Sequence, residues 1–438
     1  MTTPIVDFIK GYKDASALRL HTPGHKGVIF TGPEEDDISE ICGADELFCP
    51  SGIIAESEKN ASEIFGHPTY YSAEGSSLCV RAMVYLVSVL RGKRPVIVAA
   101  RNVHSSFVSA AALCDADVIF MTPHKNDGAV SVTVTAQDVE KTIASANEDV
   151  DAVFITTPDY RGKMIDVGAI SKVCKKHGAL LLVDCAHGAY LAFTEPSLHP
   201  MDNGADLCCA SAHKTLPALT GAAYLHASPD FSPRLVKAAM ASFASTSPSY
   251  LILRSLDALN PYLTGYREKL ADFLPQIDAA KKRLVSAGYR LTGEEPLKIT
   301  ADANARGYTG EQIAEYLVSK KICPEYADRA AVTFMISCET GAEGLDRLVS
   351  ALEALPELKA IKQKKTAYQP PRRAMSIREA FFAQKEELPA SECAGRVLSC
   401  VNLRCPPAVS PVICGEVIEP EAARYLEEAG IKRLFVVR

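Results

Sequence analysis

Three short polar clusters stand where apolar runs stop or start, and each carries residue types able to do chemistry. The run Leu180-Leu-Leu-Val183 ends in Asp184-Cys-Ala186-His187-Gly188. A carboxylate at the end of a buried strand is costly unless a cation or strong donors satisfy it. The run Asp206-Leu-Cys-Cys-Ala210 ends in Ser211-Ala-His213-Lys214-Thr215. A lysine beside a histidine in a tight, buried turn suits attack on a carbonyl carbon, because desolvation and a neighbouring cation both depress its pKa. The third cluster, Glu74-Gly75-Ser76-Ser77, opens an apolar helix over residues 78–90. Free N–H groups at a helix N-terminus, with hydroxyls and a glycine, form an anion site.

Taken singly, each cluster has a plainer reading. Asp184 would serve as a helix cap or structural carboxylate, Lys214 as a surface lysine, and Ser76 as an ordinary N-cap. Together they describe the holder of one cofactor. Asp184 would pair with a protonated pyridine nitrogen, Lys214 would form a Schiff base, and Ser211, His213 and the helix start would take a phosphate. Pyridoxal phosphate (PLP) has those three features, and its protonated ring is an electron sink.

The surrounding pattern is that of an α/β scaffold. Apolar runs at 95–100, 117–121, 152–156, 179–183 and 206–210 read as buried strands, with helical segments between several of them. One such helix covers residues 167–177, with Gly178 as its C-cap. Continuous apolar strands separated by helices make a largely parallel sheet covered on both faces. Ligands bind at the carboxyl ends of such strands, where the polar clusters lie. Residues 232–287 read as mostly helical, and after Gly288 the pattern changes to a smaller α+β unit. The expected division is an N-terminal segment 1–45, a PLP-binding large domain 46–288, a small domain 289–361, a linker 362–375 and a C-terminal subdomain 376–438.

At 438 residues the chain exceeds one compact core. A net charge of −6 with no long basic run argues against nucleic-acid binding. The N-terminus carries no basic and apolar signal pattern, and no apolar run is long enough to span a bilayer. The 14 cysteines include no C-x-x-C pair, so neither a zinc site nor a redox pair is expected, and no metal is assigned. Most of them read as small buried hydrophobes in a reducing cytoplasm.

With these residues in hand, the sequence resembles the Orn/Lys/Arg decarboxylase family of fold-type I PLP enzymes. The resemblance runs through His21-Thr-Pro-Gly-His25-Lys26-Gly27, Asp45-Glu-Leu, Gly75-Ser-Ser and Asn102-Val-His104-Ser105. It continues through Thr157-Pro-Asp-Tyr160-Arg-Gly162, Asp184-Cys-Ala-His187-Gly188, Ser211-Ala-His-Lys-Thr-Leu216 and Ser245-Thr-Ser-Pro-Ser-Tyr250. In the tail it reaches Gly395-Arg396 and Cys414-Gly-Glu416. It implies decarboxylation of arginine, lysine or ornithine, with polyamine synthesis as the expected role.

The resemblance also implies residue roles. Lys214 would hold the cofactor, Asp184 would face its pyridine nitrogen, and His104 would stack on one face of the ring with Ala186 on the other. Ser76, Ser77, Ser211 and His213 would bind the phosphate, and Gly75 and His187 belong to the same cofactor-binding set. Thr246 matches a phosphate contact donated across a dimer interface, so the site would need two copies of the chain. The chain departs from the family pattern at Ser105, Gly221 and Ala408, which stand where the family often has Lys, Gln and Gly.

A basic substrate needs an acidic or carbonyl-lined end to its pocket, for which Glu416 and Glu325 are possible partners, although each reads first as a surface or structural carboxylate. His21 and His25 would line the entrance, or form a simple turn with Pro23-Gly24. Transamination or β-elimination would use the same Asp and Lys, and Arg306 and Arg329 offer the α-carboxylate clamp an aminotransferase requires. A non-catalytic binding protein on the same fold is the remaining alternative.

Overall fold

The computed structural model describes residues 1–122, 132–362, 371–401, 403 and 410–438. The loop containing Pro406-Pro407-Ala408 and most of the linker expected at 362–375 lie outside the described residues. The chain divides into two compact units, Met1–Gly92 with Leu180–Glu268, and Lys93–Ala179 with Lys269–Arg438.

In the first unit the strand Leu180–Asp184 runs parallel to Leu207–Ala210. That strand pairs antiparallel with Ala223–Ala227, which in turn pairs antiparallel with Thr69–Ser72. The last two strands are absent from the apolar runs read in the sequence. Thr69-Tyr-Tyr-Ser72 and Ala223-Tyr-Leu-His-Ala227 mix hydroxyls and a histidine into fully buried strands, which hides their signal. Helix Gly75–Arg91 starts where Thr69–Ser72 ends, and Gly92, at φ +61°, closes it. Its buried side chains, Leu78 through Val87, leave only a narrow polar stripe. That burial anchors the helix, so its N-terminus is held in place.

In the second unit Val96–Ala99 pairs parallel with both Asp117–Phe120 and Ala152–Thr156. Three of these five pairings are parallel, so the fold is a mostly parallel α/β one, with the two antiparallel pairings in the first unit. Helix Val167–His177 starts at Asp166, whose side chain accepts from Ala169 N, and Gly178 closes it at φ +67°. A second sheet, four antiparallel strands in the order Tyr326–Ala327, Ala331–Met335, Lys298–Asp302 and Arg290–Thr292, forms the smaller α+β part with helices Gly310–Ser319 and Gly341–Glu353. The C-terminal residues build their own apolar cluster from Leu398, Val412, Ile418, Leu426, Leu434 and Val436. Beside it, Lys385–Pro389 pairs antiparallel with Arg433–Val437.

No helix among the described residues is long and apolar enough to cross a membrane. Among them there is also no group of three or more His, Cys, Asp or Glu that could hold a metal ion. Every described cysteine is a free thiol.

Candidate active site

Asp184 is the last residue of its strand and is 3% exposed. Its Oδ1 accepts from Ala186 N at 3.1 Å and from the Cys209 thiol at 3.4 Å. Cys209 sits directly opposite on the next strand, in register with Asp184. Among the described residues no lysine, arginine or histidine forms an ion pair with this carboxylate. A buried carboxylate held by one amide and one weak thiol donor is under-compensated.

Leu207–Ala210 delivers Ser211 and the single-turn helix Ala212–Thr215. Ser211 is fully buried and its Oγ has no hydrogen-bond partner. His213 is half-buried, and its Nδ1 donates to the Ala222 carbonyl at 2.9 Å. A carbonyl only accepts, so the neutral ring keeps its proton on Nδ1 and leaves Nε2 as an acceptor. The turn was expected to bury Lys214, and here the structure corrects the sequence. Ala212 and Thr215 point inward, which turns the lysine outward, and its side chain is exposed.

The N-terminus of helix Gly75–Arg91 has no side-chain cap. Gly75 adopts φ +70°, a left-handed conformation, and its N–H donates to the Gly221 carbonyl at 2.7 Å. Ser76 and Ser77 follow, half-buried, at the positive end of the helix. Gly221 itself sits at φ +99°, with room for a Cβ only 3.0 Å from Ile252 and 3.1 Å from the Ala73 carbonyl. That geometry accounts for a glycine at the position where glutamine was expected from the resemblance. Thr246 is exposed, and its neighbour Ser245 donates its N–H to Glu74 Oε1 at 2.7 Å. Ala186 is half-buried beside Asp184, and His187 is buried.

The N-terminal motifs are stabilised locally. Asp45 accepts from the N–H groups of Glu46, Ser51, Gly52, Ile54 and Ala55, and so caps helix Ile53–Phe65. Burial pushes its carboxyl upward, but those amides outweigh it and hold it below the ordinary value. His25 meets Asp37 at 3.2 Å and accepts from Gly27 N, while His21 meets the Tyr12 hydroxyl at 2.6 Å.

In the second unit, strand Val96–Ala99 leads through buried Arg101 and Asn102 to His104. His104 caps helix Ser105–Leu113, its Nδ1 accepting from Ser106 N at 3.2 Å with the Ser106 hydroxyl at 2.8 Å. The ring is exposed, unlike a core histidine tied to a carbonyl, and the cap puts the neutral ring's proton on Nε2.

Glu416 takes the structural one of its two readings. Arg101 takes both its oxygens, at 2.7 and 2.9 Å, and the pair is buried. Glu416 also accepts from Ile413 N, and the guanidinium lies over the Phe120 ring. Nothing local in the sequence announces this pair, since its partners are 315 residues apart. Glu325 accepts from the Tyr160 hydroxyl at 2.9 Å. Arg306 is buried among carbonyls, donating to Ala287 and Leu355 over the Tyr289 ring, and Arg329 pairs with Glu428 at the surface. Both arginines are thereby engaged away from a clamp.

A family model described as Orn/Lys/Arg decarboxylase, major domain, matches residues 3–302. The chain belongs to this family. The arginine decarboxylase of Halalkalibacterium halodurans is 29% identical over 460 residues, covering 97% of this chain and 93% of the relative. The constitutive lysine decarboxylase of E. coli superposes with a TM-score of 0.75 at 16% identity, over 100% of this chain and 82% of that one. The lysine decarboxylase of Francisella novicida gives 0.78 at 15%, over 100% and 81%. The fold is that of the fold-type I PLP enzymes, and the chain is an amino-acid decarboxylase.

Pyridoxal phosphate is the cofactor of this family and fold. The residues present fit it on their own chemistry. Asp184 is a buried carboxylate short of a cation, Ser211 carries an orphaned buried hydroxyl, and the uncapped start of a long buried helix offers amides to an anion.

Proposed function

We propose that this chain releases CO₂ from a basic L-amino acid, arginine, lysine or ornithine, with PLP held by Lys214. Bound PLP supplies an electron sink for the pair left at Cα when the carboxylate departs. Asp184 holds the proton on the cofactor's ring nitrogen. Ser76, Ser77, Ser211 and His213 would take the phosphate, with Gly75 and His187 in the same set, and Ala186 would lie against the ring. The family motif would give His104 the stacking role. Lys214, exposed in its single-turn helix, would hold the cofactor through its side-chain nitrogen.

The observation that carries this reading is the under-compensated Asp184, on the strand adjoining the one that delivers Ser211 and Lys214. Family membership and the full-length likeness to an arginine decarboxylase support the basic substrate. The amine product suits polyamine synthesis, and the chain acts in the cytoplasm as a homodimer in which Thr246 completes the partner's phosphate site. The large domain 46–288 carries the cofactor, residues 289–361 form the small domain, and 376–438 form the C-terminal subdomain.

The test is CO₂ release from arginine, lysine and ornithine, with PLP supplied, by wild type and Lys214→Ala. Release by wild type alone, from at least one of the three, supports the reading. Bound cofactor without release from any of them overturns it.

A further inference from the structure

Four thiols lie around the Asp184 carboxylate, and the reaction as derived uses none of them. Cys79, Cys185, Cys208 and Cys209 are all fully buried. Burial pushes the Cys79 thiol up to about 12 and those of Cys208 and Cys209 far above the ordinary range. Such thiols are poor nucleophiles and stay protonated, so the chemistry left to them is hydrogen-bond donation.

Only one of the four has its sulfur within bonding reach of the carboxylate. Strands Leu180–Asp184 and Leu207–Ala210 run parallel with Asp184 and Cys209 paired, and the Cys209 thiol meets Asp184 Oδ1 at 3.4 Å. The same oxygen accepts from Ala186 N at 3.1 Å. The two donors approach from different elements, the turn after the strand and the neighbouring strand, which leaves the carboxylate one orientation about its Cβ–Cγ bond. Neither donor carries a charge, so neither supplies the counterion that a buried carboxylate calls for.

We propose that Cys209 is a positioning residue, whose thiol proton orients the Asp184 carboxylate towards the cofactor's ring nitrogen. This rests on the PLP reading above. Removing the donor raises the cost of the Asp184 anion and frees its torsion. Both effects weaken its hold on a protonated ring, so PLP would bind less tightly.

The experiment is titration of PLP into the cofactor-stripped protein. Wild type, Cys209→Ala, Cys209→Val and Cys209→Ser are compared, with thermal melts of the stripped proteins as a check on folding. Alanine is smaller than cysteine and valine larger, and both lack the donor, whereas serine keeps one. The expected result is PLP affinity about tenfold lower in the alanine and valine variants. Serine is expected to stay within about twofold of wild type. Equal weakening by all three substitutions would make Cys209 a packing residue and overturn the proposal. Unchanged affinity in the alanine and valine variants would overturn it too. A stripped wild type that takes up no PLP would overturn the cofactor reading and this proposal together, which separates that failure from the other two.

Discussion

Two buried carboxylates, one in each unit, are treated in opposite ways. Glu416, in the C-terminal segment, is gripped by both arms of Arg101 and by a backbone amide. Asp184, equally buried, has one amide and one thiol. A charge whose counterion is built into the fold is a structural element, and losing either partner strands the other. A charge that folding leaves short of a counterion is a standing cost, retained where a ligand supplies the cation. Asp45 stands between them, satisfied by backbone amides alone.

The sharpest way to break this comparison is to neutralise each carboxylate. Asp184→Asn is expected to lower the rate of CO₂ release by about a thousandfold, in line with removal of a preorganised charge. The stripped protein's urea midpoint should stay unchanged or rise. A loss of stability with little loss of rate would reverse the assignment.

Glu416→Ala should do the opposite at first. It leaves the Arg101 guanidinium buried and is expected to cost about 3–5 kcal/mol of unfolding free energy. The double variant Arg101→Met with Glu416→Leu should recover most of that loss, to within about 1–2 kcal/mol of wild type. Failure to recover would mean that the pair does more than fill its own space.

Buried histidines make a third test, because they show what the fold does with basic groups left neutral. His199 and His226 are fully buried against each other and against Phe65, with Thr69 the partner of His226 Nδ1. Burial pushes His199 down to about 4 and His226 well below its ordinary value. The unfolded chain binds these protons near pH 6.5 and the folded one resists them, so their contribution is complete above that pH. It falls as pH drops towards 4, by up to about 1.4 kcal/mol per pH unit per histidine. Asp257, which burial pushes up to about 6, works in the opposite direction over the same range. The informative measurement is therefore the difference between wild type and His199→Gln in melts at pH 7 and pH 5. The variant should lose less on acidification.

The smallest expected effect belongs to Asp45. Asp45→Ala removes the cap of helix Ile53–Phe65 and should cost about 1–2 kcal/mol, read as a shifted urea midpoint. Because amides hold this carboxyl below its usual value, that contribution is present above about pH 4 and fades below it.

Much of this was legible in the sequence because it is local. The parallel strands announced themselves as unbroken apolar runs, and Gly92 and Gly178 ended their helices through a conformation that glycine adopts freely. Asp184 drew attention because a charge ended an apolar run. What the sequence concealed depends on partners far along the chain or on direction. Ala223–Ala227 gives no sign that it turns back antiparallel, since buried strands look alike in either direction. Lys214 follows a buried strand, yet a single helical turn suffices to point it outward. Glu416 reads in the sequence as a structural carboxylate or a partner for a ligand, and only the distant Arg101 separates the two.

The Arg101–Glu416 pair also sets an order in time. Its two halves lie 315 residues apart, so at ordinary translation speeds the guanidinium waits on the order of 16 to 60 seconds for its carboxylate to leave the ribosome. Until then the guanidinium has only water and its nearer neighbours to satisfy it. A chain that stops short of residue 416 never gains the carboxylate that both terminal nitrogens grip.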